Sequence, residues 1–289
     1  MRRRYRGWRR FAGPLQEGGT KFPSSISTRI KENNVVWAKV TESGSFDKAL
    51  VVFQHWSATA RNSLLANYFS RQGVKVIEIA IPYHLERSRP GSLLADYMLS
   101  PNLGRTIQSM RQAVPDGRKL TVWLKSEGYE QLSVLGMSLG SWVAGIVAAH
   151  DTFVAKASLF LTAGSFAEFV WTGRATRQIP LSLGPAIELI DLRRAWGPFN
   201  LENYADRLAR PDLDLQIVLA RRDKVVLPVL SQHLVKVLKD FRCKVRHSRT
   251  QLRPLFYGNA TLYLARRVEL EALPKTRTLT YFKIACGVS

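Results

Sequence analysis

The segment Val134–Gly140, with the sequence Val-Leu-Gly-Met-Ser-Leu-Gly, decides how this chain is interpreted. An apolar run ends in Gly-x-Ser-x-Gly and is followed by the small-residue run Trp142–Ala149, which is typical of a strand, a tight turn and a helix. The two glycines allow strand, helix and substrate to approach closely. Such a nucleophile elbow predicts that Ser138 is a catalytic nucleophile. An ordinary glycine-rich turn has the same five-residue pattern, so the surrounding sequence must distinguish the two.

Length and composition fit one folded domain of enzyme size. The chain has 289 residues, of which 46% are hydrophobic, so it can bury a full core. Cys243 and Cys286 have neither disulfide nor metal-ligand spacing, which favours a reducing cytoplasm. The longest apolar stretch, Val134–Ala149, is too short and too rich in Gly and Ser to cross a bilayer. We therefore expect a cytoplasmic protein without a transmembrane segment.

The formal net charge of +21 belongs mainly to the two ends of the chain. Residues 1–34 contain nine Lys or Arg and two acids, and residues 239–289 contain eleven and three. No apolar segment follows the arginine-rich start, so it does not read as an export signal. No nucleic-acid recognition motif accompanies the charge, and we expect a solvated basic arm without a specific nucleic-acid partner.

Alternating apolar and amphipathic segments predict an α/β fold. The predicted helices are 64–69, the segment after the elbow, and 102–124 with a break at Pro115–Gly117. The predicted strands are 35–40, 48–53, 73–81, 132–135, 157–161 and 215–220. This interval of alternation favours a mostly parallel sheet with helices on both faces.

Three regions follow from this pattern. Residues 1–34 are a basic arm and lead-in, 35–241 are the α/β domain, and 242–289 are a basic segment without clear alternation. Between two strands, residues 164–212 contain scattered aromatic residues among Gly, Pro and Arg, which predicts a small cap. The aromatic residues of this cap suggest an apolar acyl substrate.

A serine nucleophile needs an imidazole base and a carboxylate that orients the imidazole. In α/β enzymes with this elbow the order is Ser, acid, His. Asp223 follows the predicted strand 215–220 and is the candidate acid, although a surface aspartate paired with a neighbouring cation is the alternative. His247, the last histidine, is the candidate base. Its surroundings fit poorly, because three nearby arginines lower imidazole basicity.

Backbone N–H groups must stabilise the oxyanion that forms during acyl transfer. The candidates are Leu139, directly after the nucleophile, and Trp56 or Ser57, in the loop after the strand 48–53. His55 and Met137 are assigned to the pocket lining, although His55 and Trp56 equally well cap the end of the strand. The histidines lack metal-ligand spacing, and we expect neither a metal nor a cofactor.

The order of these segments resembles the α/β-hydrolase superfamily over about residues 35–240. Five shorter segments are similar to bacterial relatives of the abhydrolase-domain-containing protein eighteen group: Ala95–Tyr97, Asn102–Ile107, Arg111–Val114, Gly128–Tyr129 and Val170–Gly173. The resemblance implies a hydrolase fold with Ser138 as nucleophile and Asp223 as acid, and no particular substrate. The chain departs from the family pattern after Phe241, where the Gly-His segment that carries the base is missing.

Two functions follow from the sequence. The first is a serine hydrolase that cleaves a carboxylic ester or related small acyl compound through an acyl-enzyme intermediate. The second is a scaffold of the same fold that binds a ligand or partner without turnover. This alternative stays open because the surroundings of His247 fit a catalytic base poorly.

Overall fold

The computed structural model describes residues 18–44, 47–92, 94–185 and 187–241, together with the backbone of strand segments 246–250, 253–257, 260–265 and 282–284. The described strands are β1 (Thr20–Pro23), β2 (Val35–Thr41), β3 (Lys48–Phe53), β4 (Lys75–Ile79), β5 (Gln131–Met137), β6 (Val154–Phe160), β7 (Asp214–Ala220), β8 (Arg246–Thr250), β9 (Arg253–Tyr257), β10 (Ala260–Ala265) and β11 (Phe282–Ile284). The described helices are α1 (Ser63–Arg71), α2 (Leu103–Ser126), α3 (Leu139–His150), α4 (Phe166–Thr172), α5 (Gln178–Leu183), α6 (Leu189–Trp196), α7 (Ala205–Leu208) and α8 (Pro228–Asp240).

Eight of the described strands form one sheet in the order β1-β2-β4-β3-β5-β6-β7-β8. Strand β2 runs antiparallel to β1 and β4, whereas every neighbouring pair from β4 to β8 is parallel. Parallel strands are covered on both faces, which explains the nearly continuous apolar runs of β3 and β7. The predicted mostly parallel α/β fold is confirmed.

Helices pack on both faces of the sheet. Helix α1 packs over Leu50, Val52 and Leu135. Side chains alternate along a strand, so Phe53 points to the opposite face, where it lies against Gly117 of α2. Helix α3 packs beside α2 on that second face. Because β3, β5 and β7 run in the same direction, their carboxyl ends and the loops that follow them lie at one edge of the sheet.

The predicted break in the second long helix is wrong, because α2 is continuous through Pro115. Asp116 is buried and accepts hydrogen bonds from Ser24 and Ser25, and Gly117 has no room for a Cβ against Phe53. A proline inside a helix costs about 3 kcal/mol. Tertiary contacts on both sides of the turn outweigh this local tendency.

A buried ion pair connects the N-terminal segment to the sheet. Arg87 Nη2 lies 3.0 Å from Asp116 Oδ2, and both side chains are fully buried. Ser24 Oγ donates to Asp116 over 2.7 Å, and Arg87 Nη2 donates to the Asn33 carbonyl over 2.8 Å. A buried pair is tolerated when its remaining donors and acceptors are satisfied, as they are here.

Short helices, α4 to α7, form the segment between β6 and β7 that the sequence predicts to be a cap. Its main aromatic residues are core rather than pocket lining. The rings of Phe166 and Phe169 lie 5.4 and 4.7 Å from the Trp142 ring of α3, and Trp196 lies 5.6 Å from Phe166. All four side chains are buried. These contacts hold the segment on α3, so the aromatic content does not argue for an apolar acyl group.

The described part of the C-terminal segment consists of strands. Strand β8 pairs parallel to β7, and strands β9 to β11 form a separate antiparallel sheet. The rest of the predicted segment 242–289, like most of the predicted basic arm, lies outside the described residues. Among the helices that are described, none has the length and apolar character needed to cross a membrane.

Replacing Asp116 with Asn should lower the free energy of unfolding by about 3–5 kcal/mol, because the Arg87 guanidinium would stay buried without its counter-charge. Urea denaturation followed by circular dichroism measures the change. Asp96→Asn is the control, since Asp96 forms an exposed pair with Arg89 at 3.7 Å and should change the value by less than about 1 kcal/mol. Equally small effects for both variants would contradict the role assigned to the buried pair.

Candidate active site

Ser138 lies on a strained turn between β5 and α3. Its φ of 48° and ψ of −120° form a conformation that residues other than glycine rarely adopt. The Ser138 N–H donates to the Phe160 carbonyl over 2.8 Å, and Ser141 Oγ donates to the carbonyls of Gly136 and Phe160. These bonds hold the strained turn, whose strand-turn-helix geometry matches a nucleophile elbow.

Gly136 and Gly140 leave no room for side chains at this turn. A Cβ on Gly140 would lie 2.3 Å from the Phe53 carbonyl oxygen, and a Cβ on Gly136 would lie 2.4 Å from the Gly140 carbonyl oxygen. The backbones of β5, α3 and the end of β3 are therefore in direct contact. This contact brings the loop after β3 next to Ser138.

The first backbone N–H groups of a helix have no acceptor within the helix. Leu139 is the first residue of α3, and its N–H has no hydrogen-bond acceptor among the described residues. The N-terminus of a helix also carries a partial positive charge. The Leu139 N–H is thus free to bind an anion, and its role as an oxyanion donor stays a prediction.

Asp223 lies in the loop between β7 and α8. Its Oδ1 accepts hydrogen bonds from the N–H groups of Val225 and Val226 over 2.7 and 3.0 Å. Its Oδ2 is buried and has no partner among the described residues. Burial raises the pKa of the Asp223 carboxyl, and the two backbone hydrogen bonds oppose this rise. A buried oxygen without a donor is costly, so Oδ2 is suited to an N–H donor such as an imidazole.

The elbow and the aspartate share one edge of the sheet. Strand β6 lies between β5 and β7, so the strands that lead to Ser138 and Asp223 are about 10 Å apart. Ser138 and Asp223 therefore follow parallel strands that are separated by a single strand.

The loop after β3 is held by side chains from other segments. Trp56 Nε1 donates to the Ala95 carbonyl over 2.9 Å. The Ser57 N–H donates to His84 Nε2 over 2.9 Å, and His84 Nδ1 donates to the Pro82 carbonyl over 2.8 Å. The Trp56 backbone N–H has no acceptor among the described residues. Trp56 therefore keeps the free donor that an oxyanion needs.

Two sequence-predicted site residues are engaged elsewhere. Ser57 donates its N–H to His84, so it is not free to bind an oxyanion, and this corrects the choice between Trp56 and Ser57 in favour of Trp56. Met137 packs in the hydrophobic cluster with Leu50 and Val52 beneath α1, which corrects its assignment to the pocket. Strand alternation explains the second correction, because the Met137 side chain shares the face of Leu135.

His55 lies in the same loop, and its side chain is nearly buried. Burial lowers the pKa of the His55 imidazole to about 4. The ring is therefore neutral at physiological pH and is a weak base. Its role in lining the pocket stays a prediction.

His84 has no role in the sequence-based site. Its side chain is fully buried behind the loop after β3, and both ring nitrogens have backbone partners. The available signal was its position just past β4, since the ends of neighbouring parallel strands meet at one edge. The contact with Ser57 joins residues that are 27 positions apart, and no spacing rule predicts such a contact.

His247 lies in β8 opposite Ile217 of β7. The pair of His247 and Ile217 lies three residues before the pair of Thr250 and Ala220, which ends the two strands at the carboxyl edge of the sheet. The His247 backbone is therefore about 10 Å from that edge. Its side chain is outside the described residues. The register of the strands alone does not bring His247 to Asp223.

The other histidines have different neighbours. His150 Nδ1 lies 3.0 Å from Arg207 Nη1, at the end of α3 that is remote from Ser138. His233 Nε2 lies 3.7 Å from Glu202 Oε1. Among histidines whose side chains are described, none forms a hydrogen bond with Ser138 or Asp223. Within the same residues, no group of three or more His, Cys, Asp or Glu is placed to bind a metal.

Comparisons by sequence and by structure gave different results. No family model matches the sequence, and no curated protein matches it. Solved structures with a similar fold include a puromycin-hydrolyzing peptidase of Mycobacterium tuberculosis, with 15% identity and a TM-score of 0.59 over 82% of this chain and 40% of that one. An acylaminoacyl peptidase of Pyrococcus horikoshii has 11% identity and a TM-score of 0.61 over 83% of this chain and 37% of that one.

A third similar structure, acetyl xylan esterase 1 of a Thermoanaerobacterium species, has 15% identity and a TM-score of 0.61. The match covers 82% of this chain and 78% of the esterase. By contrast, the chain spans only about two fifths of each peptidase. At these identities the likeness concerns the fold, and this chain has the α/β-hydrolase fold. The comparisons do not support the narrower resemblance to the abhydrolase-domain-containing protein eighteen group.

Replacing Gly140 with Ala should destabilise the protein by about 1–3 kcal/mol or more, because the new methyl group would overlap the Phe53 carbonyl. Gly104→Ala is the matched control, since the nearest atom to its Cβ would be Asn102 Oδ1 at 3.5 Å. That variant should be as stable as the wild type or slightly more stable. Thermal unfolding of the three proteins checks the prediction, and a wild-type melting temperature for Gly140→Ala would contradict the close contact.

Proposed function

We propose that this protein is a serine hydrolase that cleaves a carboxylic ester or related small acyl compound through an acyl-enzyme intermediate. The observation that carries the proposal is the combination of Ser138 on its strained turn with the buried, unpartnered Oδ2 of Asp223 at the same sheet edge. A surface aspartate paired with a lysine or arginine would not have this environment. The strained turn supports Ser138 as the nucleophile, and the buried free oxygen supports Asp223 as the acid.

The proposed reaction has two steps. Ser138 Oγ attacks the substrate carbonyl carbon while an imidazole takes the hydroxyl proton, and Asp223 orients that imidazole. The oxyanion accepts hydrogen bonds from the backbone N–H groups of Leu139 and Trp56. The carbonyl re-forms as the leaving alkoxide departs with the imidazole proton. Water then repeats the sequence on the acyl-enzyme, which releases the acid and restores Ser138.

His247 is the proposed base. Asp223 Oδ2 lacks a partner among the described residues, and His84, His150 and His233 contact other groups. Burial lowers the pKa of the His55 imidazole to about 4, which makes it a weak base. Strand β8, which contains His247, pairs directly with β7, which leads to Asp223. For His247 to act, its imidazole must reach the carboxyl edge from a position lower in the strand.

The names of the similar structures agree with acyl chemistry. They include peptidases and an acetyl xylan esterase, with identities of 11–15%. Because function is determined by the site and not by the fold, this agreement supports the class of reaction and leaves the substrate open. Cleavage of a peptide bond and cleavage of an ester both proceed through the intermediate proposed here.

A non-catalytic scaffold is the second candidate function. The strand register favours it, because His247 is paired with Ile217 rather than located in a loop beyond β8. Without an imidazole on Asp223, the Ser138 hydroxyl would be a weak nucleophile. The same edge of the sheet would then bind a ligand or partner without turnover.

A fluorophosphonate probe should label the wild-type protein, and Ser138→Ala should abolish the labelling. Loss of the nucleophile removes about 10⁴-fold or more of the rate in enzymes of this type. Ser182→Ala is the matched control, because Ser182 is exposed on α5, and it should label like the wild type. Equal labelling of Ser138→Ala would overturn the assigned nucleophile, and an unlabelled but folded wild type would favour the scaffold.

Asp223→Asn and His247→Gln should each lower the labelling rate about 10³- to 10⁴-fold if both residues belong to the triad. Stopped-flow release of p-nitrophenol from p-nitrophenyl acetate gives a second measurement, with a stoichiometric burst expected for the wild type. If His247→Gln keeps the wild-type burst while Asp223→Asn loses it, His247 is not the base. The Ser138 assignment would survive that result.

A further inference from the structure

We infer that His84 is a positioning residue that fixes the backbone N–H of Trp56 as the second oxyanion donor. This inference rests on the proposed hydrolase function and names a device that supports it. His84 acts through the Ser57 peptide and does not itself touch the reacting atoms.

The ring of His84 is held in one tautomer by two backbone groups. Nδ1 faces the Pro82 carbonyl at 2.8 Å, so it must carry the proton. Nε2 faces the Ser57 N–H at 2.9 Å, so it must carry the lone pair. The opposite tautomer would put two donors against each other and two acceptors against each other. The fully buried ring therefore presents a fixed acceptor to the loop.

The peptide that carries the Trp56 N–H is held on both sides. Upstream, the carbonyls of Phe53 and Gln54 lie against Gly140 of the elbow. Downstream, Ser57 has a φ of 60° and donates its N–H to His84. A positive φ at serine is unfavourable and persists only when surrounding contacts enforce it. The hydrogen bond to His84 supplies such a contact one residue after the proposed donor.

The turn that carries His84 is itself fixed by the buried polar network. Tyr83 has a φ of 62°, and its N–H donates to Asn33 Oδ1 over 3.1 Å. The carbonyl of Asn33 accepts from Arg87, whose N–H donates to the His84 carbonyl over 2.9 Å. The buried pair of Arg87 and Asp116 thus supports the turn. The position of the oxyanion donor is connected in this way to the protein core.

The electrostatic surroundings keep His84 neutral. Burial lowers the pKa of the His84 imidazole to about 4, and the nearby His55 and Arg87 act in the same direction. The hydrogen bond to the Pro82 carbonyl opposes this shift. The pKa lies below the range in which hydrolases are assayed, so Nε2 accepts from Ser57 throughout that range. Protonation would place an N–H against the Ser57 N–H and break the contact.

The hydrogen bond from an oxyanion donor to the substrate oxygen is stronger in the transition state than in the ground state. Loosening that donor should therefore lower kcat and leave KM nearly unchanged. A merely structural role would instead lower stability or change substrate binding. This split between kcat and KM separates the two roles.

The test compares His84→Leu, which fills the space without an acceptor, with His84→Gln, which keeps an oxygen acceptor. With p-nitrophenyl acetate at pH 7.5, His84→Leu should lower kcat about 10- to 100-fold, with KM within about twofold of the wild type. His84→Gln should recover a large part of kcat. His150→Leu makes the same chemical change far from the loop and should leave both constants unchanged. Circular dichroism melts show whether each variant is folded.

The possible outcomes are distinct. If the fluorophosphonate probe labels the wild type but His84→Leu and His84→Gln have equal kcat, the inference about His84 is wrong and the proposed function stands. The inference about His84 is also wrong if His84→Leu raises KM and leaves kcat unchanged. If the wild type is folded but neither labels nor turns over ester, the proposed function fails, and the inference fails with it. If His84→Leu does not fold, the remaining few-fold fall in kcat expected for His84→Gln, with an unchanged KM and a wild-type melting temperature, still supports the role, and a change confined to KM overturns it.

Discussion

Direct backbone contact at the elbow constrains the positions of the candidate nucleophile and of both candidate oxyanion donors. Gly140 brings α3 against the carbonyls of Phe53 and Gln54, and Gly136 brings β5 against α3. Because no side chain separates these segments, the strained Ser138, the first N–H of α3 and the loop after β3 converge on a small volume. Any larger residue at either glycine would push them apart, and the hydroxyl would lose its relation to both proposed oxyanion donors.

Buried polar groups then determine how firmly this edge is held. The Arg87 and Asp116 pair satisfies its hydrogen bonds within the N-terminal segment, α2 and the turn after β4. It therefore acts as a rigid polar core instead of an uncompensated charge pair. Asp223 is the contrasting case, since one of its oxygens is satisfied and the other is buried without a partner among the described residues. Folding stability would favour a satisfied oxygen, and the unpartnered Oδ2 supports the proposed role of Asp223 as the acid.

The histidines show how the surroundings of a residue decide its chemistry. His55 and His84 lie in loops at the carboxyl edge of the sheet, and burial lowers the pKa of each imidazole to about 4. Both ring nitrogens of His84 are hydrogen-bonded to backbone groups. Neither has the properties of a general base near neutral pH. His247 belongs to the strand next to β7, and the difference between an enzyme and a scaffold depends on whether its imidazole reaches Asp223. Whether the imidazole reaches Asp223 is sensitive to the residue at which β8 ends, because each residue along a strand moves the chain by about 3.3 Å.

The sequence by itself determined the fold class and the strand, turn and helix around Ser138, because these depend on local patterns: apolar runs, helical spacing and glycines around a serine. It also predicted Leu139, Trp56 and Asp223 as candidates, since each directly follows a recognisable element. Only the tertiary structure decided that α2 continues through Pro115, that Phe166 and Trp196 are core, and that Ser57 donates to His84. These features depend on contacts between residues distant in the chain. Burial and hydrogen-bond partners there outweigh local propensity, and a linear pattern does not contain them.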